Sequence, residues 1–190
     1  MPGWIVLAVV VAILLVLLAV FYNRFVALRQ QVRAAYSDID VQLKRRHDLI
    51  PNLIEAVKGY AAHERRVFDE VAKARADAIA AGSEPPAERA TAENTLSGAV
   101  RSLFAVAEAY PQLQAVQEFK DLSSNLTATE DTLQYARRYY NAQVRDYNTA
   151  IATFPGVALA PMLGFSPYQF FELDAPTDRE LPQVKLTPPI

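Results

Sequence analysis

The chain has no cysteine among its 190 residues, which excludes disulfides, thiolate catalysis and cysteine-ligated zinc together. It has only two histidines, six glycines and one tryptophan. A glycine-rich phosphate loop, a nucleophile elbow and a metalloprotease helix are all missing from it. Charge of one sign is missing too: 19 Lys and Arg against 21 Asp and Glu give a formal net charge of −2, without the clustered basic face that nucleic acid demands. No charged side chain precedes Arg24. Between Gly3 and Pro51 there is no glycine and no proline, so nothing in that stretch punctuates a helix.

What fills the start is a run of eighteen apolar residues, Trp4 to Phe21. At ~1.5 Å per residue it rises ~27 Å, close to the ~30 Å hydrocarbon core of a bilayer. Trp4 and Tyr22 stand where interfacial aromatics belong, with Leu14, Leu15, Leu18 and Phe21 inside the span. Only Met1, Pro2 and Gly3 precede the run, and Leu18, Ala19, Val20 and Phe21 offer no small-residue cleavage site, so the expectation is a retained anchor over residues 1–22. Arg24, Arg29 and Arg33 follow it and by the positive-inside rule put the remainder in the cytoplasm. That remainder, roughly 168 residues, suits one domain with a real core.

The domain, residues 23–155, reads as helices throughout. Val26, Val32, Tyr36, Ile39, Leu43 and Ile50 recur at helical spacing, continuing the anchor. Pro51 predicts a break, because proline disfavours helical geometry in the residue before it and suits a first helical turn. A second helix is then expected from Pro51 to about Ala80, with Leu53, Val57, Tyr60, Val67, Val71, Ala74 and Ala78 on its seam, ending at Gly82–Pro86. A third is expected from about Ala87 to Glu108, where Gly98 suggests close approach of a neighbouring helix. The longest runs from about Gln114 to Thr153, with Leu122, Leu126, Leu133, Tyr140, Val144, Tyr147 and Ile151 in register. The expected fold is all-α: a transmembrane helix continuous with an antiparallel up-down bundle of four long helices, followed by an irregular tail over residues 156–190, apolar and then proline-rich.

Asp38 to Glu64, reading DIDVQLKRRHDLIPNLIEAVKGYAAHE, resembles the signature of the LemA family of bacterial membrane proteins. Glu93–Ala99 (ENTLSGA), Ala107–Pro111 (AEAYP), Tyr147–Asn148, Phe154–Pro155 and Gly164–Phe165 agree with it in order. The resemblance implies an amino-terminal anchor in the bacterial inner membrane and an antiparallel helical bundle. It implies no catalytic activity and no cofactor, and points to membrane-associated assembly, including the building of magnetosome membranes.

The residues themselves leave little room for catalysis. His47, Asp48, His63 and Glu64 are the one candidate metal or hydrolytic cluster, but the histidines are sixteen apart, ~24 Å and ~160° on a straight helix, where helical metal sites need donors one turn apart. Their expected place is charged helix surface, as is that of Lys44, Arg45 and Arg46. The dipeptides Tyr22–Asn23, Tyr140–Asn141 and Tyr147–Asn148 read as seam packing rather than as a recognition surface. The expected function is contact, as a scaffold, adaptor or organiser with the lipid bilayer and an unidentified protein or a second copy as partners. The alternatives are a metal-binding bundle and a sensor holding a small apolar ligand near Gly98. Alternating helix directions make the Pro51 and Pro111 turns distal, so His47, Asp48, Asn52, Tyr110 and Gln112 form the expected partner surface. Helix four ends near the membrane, which places Leu159, Met162, Leu163, Phe165, Tyr168, Phe170 and Phe171 either in the lipid interface or over the end of the bundle.

Overall fold

The structure, a computed structural model, describes residues 2–171. Helix α1 spans Gly3–Lys58, 56 residues without interruption and ~84 Å long. Its first third is sheathed by no protein at all, and among the described residues it is the one helix long and apolar enough to cross a membrane. The remainder of α1 is built on a seven-residue repeat: Phe25, Val32, Ile39, Arg46 and Leu53 are buried, and so are Leu43, Ile50 and Val57. Such a repeat keeps one stripe facing one near-parallel neighbour. That neighbour is α5, Gln117–Ala152, whose buried Phe119, Leu126, Leu133, Tyr140 and Tyr147 keep the same interval. The helices run antiparallel, with Tyr36 against Tyr140 and Arg46 against Glu130.

Helices α2 (Arg65–Ala80) and α3 (Pro86–Glu108) form a hairpin closed by a 3₁₀ turn at Ala81–Ser83. A single turn of helix, α4 (Pro111–Ala115), leads into α5. No strand occurs among the described residues. The hairpin covers only the distal half of the α1–α5 pair, since its turn residues Glu84, Pro85 and Pro86 lie beside Tyr36 and Tyr140, ~21 Å of helix beyond Tyr22. Strict alternation of helix directions would bring this turn to the membrane-proximal end; it stops short of it.

The expected break at Pro51 is corrected as well. Ile50, Leu53, Ile54 and Val57 are all buried on one face, and their burial outweighs the local preference of a proline. The chain instead leaves the helix at Gly59 and turns through His63 to α2. Gly98 brings no helix close: it is exposed, and a Cβ added there would meet nothing within 4 Å.

Beyond α5 the apolar stretch is partly helical rather than irregular: α6 spans Gly156–Met162. Gly156 is required there, because a Cβ would stand 2.1 Å from the Ala150 carbonyl oxygen and 3.2 Å from the Phe25 ring. Gly164, at φ 74°, reverses the chain, and the Phe165 amide donates to the Ala160 carbonyl at 2.9 Å, closing a Schellman turn. From Phe165 to Phe171 the chain runs extended back along α5. The proline-rich end from Pro176 to Ile190 lies outside the described residues.

A buried polar layer, a strap and the exposed ends

Two apolar clusters fill the bundle. The distal one gathers Ile50, Leu53, Val71, Leu96, Leu103, Leu113 and Leu126 among others; the proximal one gathers Phe25, Ile39, Leu43, Leu133, Tyr140 and Tyr147. Between them, at matching heights on α1, α3 and α5, lies a layer of charge. Arg46 is fully buried. Its Nη1 donates to Glu93 Oε2 at 3.1 Å and its Nη2 to Ser97 Oγ at 2.7 Å, while Nε lies 2.8 Å from Glu130 Oε1. His47 Nε2 stands 2.9 Å from the other oxygen of Glu93. Glu93 thus joins two adjacent residues of α1 to α3, and Arg46 carries the link to α5. Arg137, also buried, lies over the face of the Phe171 ring, 5.3 Å from its centroid. Desolvation, reinforced by the like charge of Arg46, pushes its pKa down to about 10.

A second polar contact explains how α1 passes Pro51. Proline has no N–H, so the carbonyl four residues back, that of His47, loses its helical donor. Arg75 of α2 supplies one: its Nε donates to the His47 oxygen at 2.7 Å. Farther along the hairpin, Arg89 at the start of α3 ion-pairs with Asp40 and donates to the Tyr36 hydroxyl at 3.1 Å.

The tyrosine–asparagine dipeptides of α5 hold the extended tail. Asn148 donates to the Tyr168 carbonyl and accepts from its amide, both at 2.9 Å. Asn141 does the same for Phe171, at 3.1 and 2.9 Å. Seven residues of helix rise ~10.5 Å and three extended residues span ~10 Å, so the two asparagines meet backbone groups three residues apart. The Tyr147 hydroxyl donates to Ser166 O and that of Tyr140 to Gln169 O. The dipeptide repeat is therefore both seam packing and a clamp on the chain's own main chain. Burial raises the pKa of both hydroxyls above the usual tyrosine value.

The residues singled out from the sequence fall in different places. Trp4, Leu14, Leu15, Leu18 and Tyr22 are exposed on α1, and Phe21 is half-buried. His47 is buried in the polar layer rather than presented to a partner. Asp48 is exposed and its carboxyl is held below the usual carboxylate range by the hydrogen bond from Lys44. His63 and Glu64 lie in the α1–α2 loop, so the structure does not bring His47, Asp48, His63 and Glu64 together. Asn52 and Gln112 are exposed and Tyr110 is half-buried, but Asn52 stands within α1, not in a turn. Gly59–Glu64 and Ala109–Val116 form the distal end instead. In the tail, Phe165 and Phe171 are buried against the bundle. Leu159, Leu163 and Tyr168 are half-buried, and Met162 and Phe170 are exposed. Phe165 packs against Tyr22, Phe25 and Arg29, and Phe171 against Tyr36. A cleft of about 640 Å³ lies between α1, the hairpin turn and the tail, lined by Val32, Tyr36, Pro85, Tyr140 and Tyr168. It is remote from the expected site near Gly98.

Sequence reasoning missed Arg46, Glu93, Glu130, Arg137 and Arg75. For Arg46 a signal existed: it stands seven residues from both Ile39 and Leu53, on the seam and not on a solvated face.

A model of the LemA family matches residues 35–186, the bundle and tail beyond the anchor. The chain belongs to the LemA family. It is 28 % identical over 175 residues to magnetosome protein MamQ 2 of Paramagnetospirillum magneticum, covering 80 % of this chain and 64 % of that protein. It is 26 % identical over 174 residues to magnetosome protein MamQ of Magnetospirillum gryphiswaldense, with 79 % and 64 % covered. Protein LemA of Metamycoplasma hominis is 24 % identical over 134 residues, with 70 % and 60 % covered. The chain thus spans under two thirds of the length of these relatives. Membership and the apolar helix together make it a membrane-associated helical protein. The segments that carry the LemA resemblance build the features above: Asp38–Glu64 forms the distal part of α1 with Arg46, His47 and Pro51, Glu93 and Ser97 complete the polar layer, and Tyr147–Asn148 grips the strap.

Proposed function

We propose that the protein works by contact, as a scaffold or organiser fixed in the bacterial inner membrane with its bundle in the cytoplasm. The observation that carries this reading is the unbroken helix α1, Gly3–Lys58. It joins the apolar run to the distal end without a hinge, and holds Gly59–Glu64 and the Tyr110–Gln112 corner ~54 Å beyond Tyr22. Anchoring confines copies to two dimensions and raises their effective concentration, so weak contacts suffice for assembly. Similarity to proteins named for the magnetosome supports a role in a membrane-bound assembly. Arg24, Arg29 and Arg33 support the cytoplasmic side.

Because the chain has no native cysteine, Gln112→Cys gives a single reporter at the distal end. Labelling by an impermeant maleimide only after the inner membrane is opened tests the orientation. Photo-crosslinkers at Asn52 and Gln112 in native membranes, compared with one at exposed Tyr135, test the contact surface. Distal crosslinks to a defined protein or to a second copy are expected. Equal, unspecific products from all three sites would refute the reading.

A further inference from the structure

We propose that α6, with the turn before it, is an interfacial foot, whose outward side chains, Phe154 in the turn and Val157, Pro161 and Met162 in the helix, lie in the headgroup–acyl boundary of the bilayer that α1 crosses. This rests on α1 as the anchor, and on neither the orientation nor the contact function.

Height comes first. Gly156 abuts the Phe25 ring, and the Phe165 ring lies 5.8 Å from that of Tyr22 and 5.3 Å from that of Phe25. Phe21 and Leu28 pack on the same cluster as Leu159 and Leu163. The short helix therefore sits beside the first turn or two after the apolar run, the level an interfacial helix occupies when it is sunk ~5–10 Å into the boundary.

Surface chemistry agrees. The inner face of α6, Gly156 and Ala160, is buried in the bundle, yet Phe154 is 87 % exposed, Val157 54 % and Met162 83 %. Within α6, Val157 and Pro161 stand four residues apart with Met162 beside them, on one side of the helix, and Phe154 lies in the turn just before it. Elsewhere beyond Tyr22, Val41, Tyr60 and Ile79 are exposed on separate elements, and Tyr135 and Tyr139 carry hydroxyls. From Tyr147 to Phe171 there is no Asp, Glu, Lys, Arg or His, so no fixed charge opposes transfer from water. Arg24, exposed and directly preceding Phe25, can meet lipid phosphate at the same level. Lipid is the occupant favoured over a second copy because α1 places a bilayer at this height in every molecule, whether or not another protein is near.

The test uses the full chain in phosphatidylcholine–phosphatidylglycerol vesicles. Spin labels are placed singly through Phe154→Cys, Val157→Cys and Met162→Cys, with Leu14→Cys inside the span and Tyr135→Cys on the bundle as references. Collision with oxygen is compared with collision with a water-soluble nickel chelate. A severalfold higher oxygen-to-nickel ratio at 154, 157 and 162 than at 135 is expected, approaching that at 14. Ratios equal to that at 135, with 14 still in lipid, overturn the foot and leave the anchor intact. If 14 is also in water, the anchor reading fails with it. Dipolar broadening at 154 and 162 that disappears on dilution with unlabelled protein overturns lipid in favour of a second copy. Phe154→Gln with Met162→Gln alters only exposed side chains, so its helical circular dichroism should be unchanged while the label at 157 moves toward water; a label that stays in lipid refutes the assignment.

Discussion

Pro51, about two turns before the end of a 56-residue helix, costs about 3 kcal/mol relative to alanine if nothing compensates. Part of that cost is the His47 carbonyl, stripped of its helical donor, and Arg75 Nε occupies that position at 2.7 Å. A hydrogen bond from a charged donor contributes about 1.5–3 kcal/mol. Arg75→Met keeps most of the apolar stem and removes the donor, so a loss of about 2 kcal/mol is expected, a fall of ~4–8 °C in midpoint for a chain of this size. In the Pro51→Ala background residue 51 regains its N–H and can bond the His47 carbonyl itself. There Arg75→Met should cost little, since the His47 carbonyl no longer depends on it. The double-mutant cycle should therefore return a coupling of about 1–2 kcal/mol. Far-UV circular dichroism of the full chain in detergent, followed through thermal or urea unfolding, measures all four corners. Two substitutions whose costs simply add, within about 0.5 kcal/mol, would refute the claim that Arg75 stands in for the missing amide.

Glu93→Leu should destabilise the bundle by about 3 kcal/mol, since it removes one of the two carboxylates paired with fully buried Arg46 and the partner of His47, and urea titration checks it. Gly98→Ala should raise stability by up to about 1 kcal/mol, because the site is an exposed helix interior with open space around it; no gain would show that the environment of α3 has been misread. Asn148→Ala removes both bonds to Tyr168 and should make the segment after Gly164 the first site of limited proteolysis, with the bundle resistant. Tyr140 keeps its proton in the folded state above the ordinary value of 10.0. The unfolded chain therefore holds fewer protons above pH 10, and the stability from this group, complete below pH 10, is lost as pH rises. Arg137, lowered to about 10, acts in the opposite sense over the same range, so the comparison to make is Tyr140→Phe against the parent: the variant should lose less stability between neutral and alkaline pH.

Periodicity made the helices legible, because seven-residue spacing on α1 and α5 reports a buried stripe whatever the residues between. It also located the helix long and apolar enough to cross a membrane, through its eighteen consecutive apolar residues. Pro51 was misleading because a local preference of a few kcal/mol competes with Leu53, Ile54 and Val57 burying on the same face, and long-range burial wins. The polar layer stayed hidden for a related reason: Arg46 and Glu93 look like surface until their partners, 47 positions apart, are known to meet. Gly98 was read as a close approach when it faces solvent. The tail was harder still, since its fixing groups are backbone amides and carbonyls, which every sequence possesses. Only the repeated Tyr–Asn pairs hinted at them.

The continuity of α1 makes it a lever. Transmembrane helices tilt by ~20° on average, more when the apolar run exceeds the local bilayer thickness. With no hinge between Tyr22 and Lys58, a 20° change of tilt at the membrane sweeps the distal loops sideways by about 18 Å. With α1 set across a bilayer, the far end of the bundle would magnify small changes of tilt, and where it points would become a function of how thick that bilayer is.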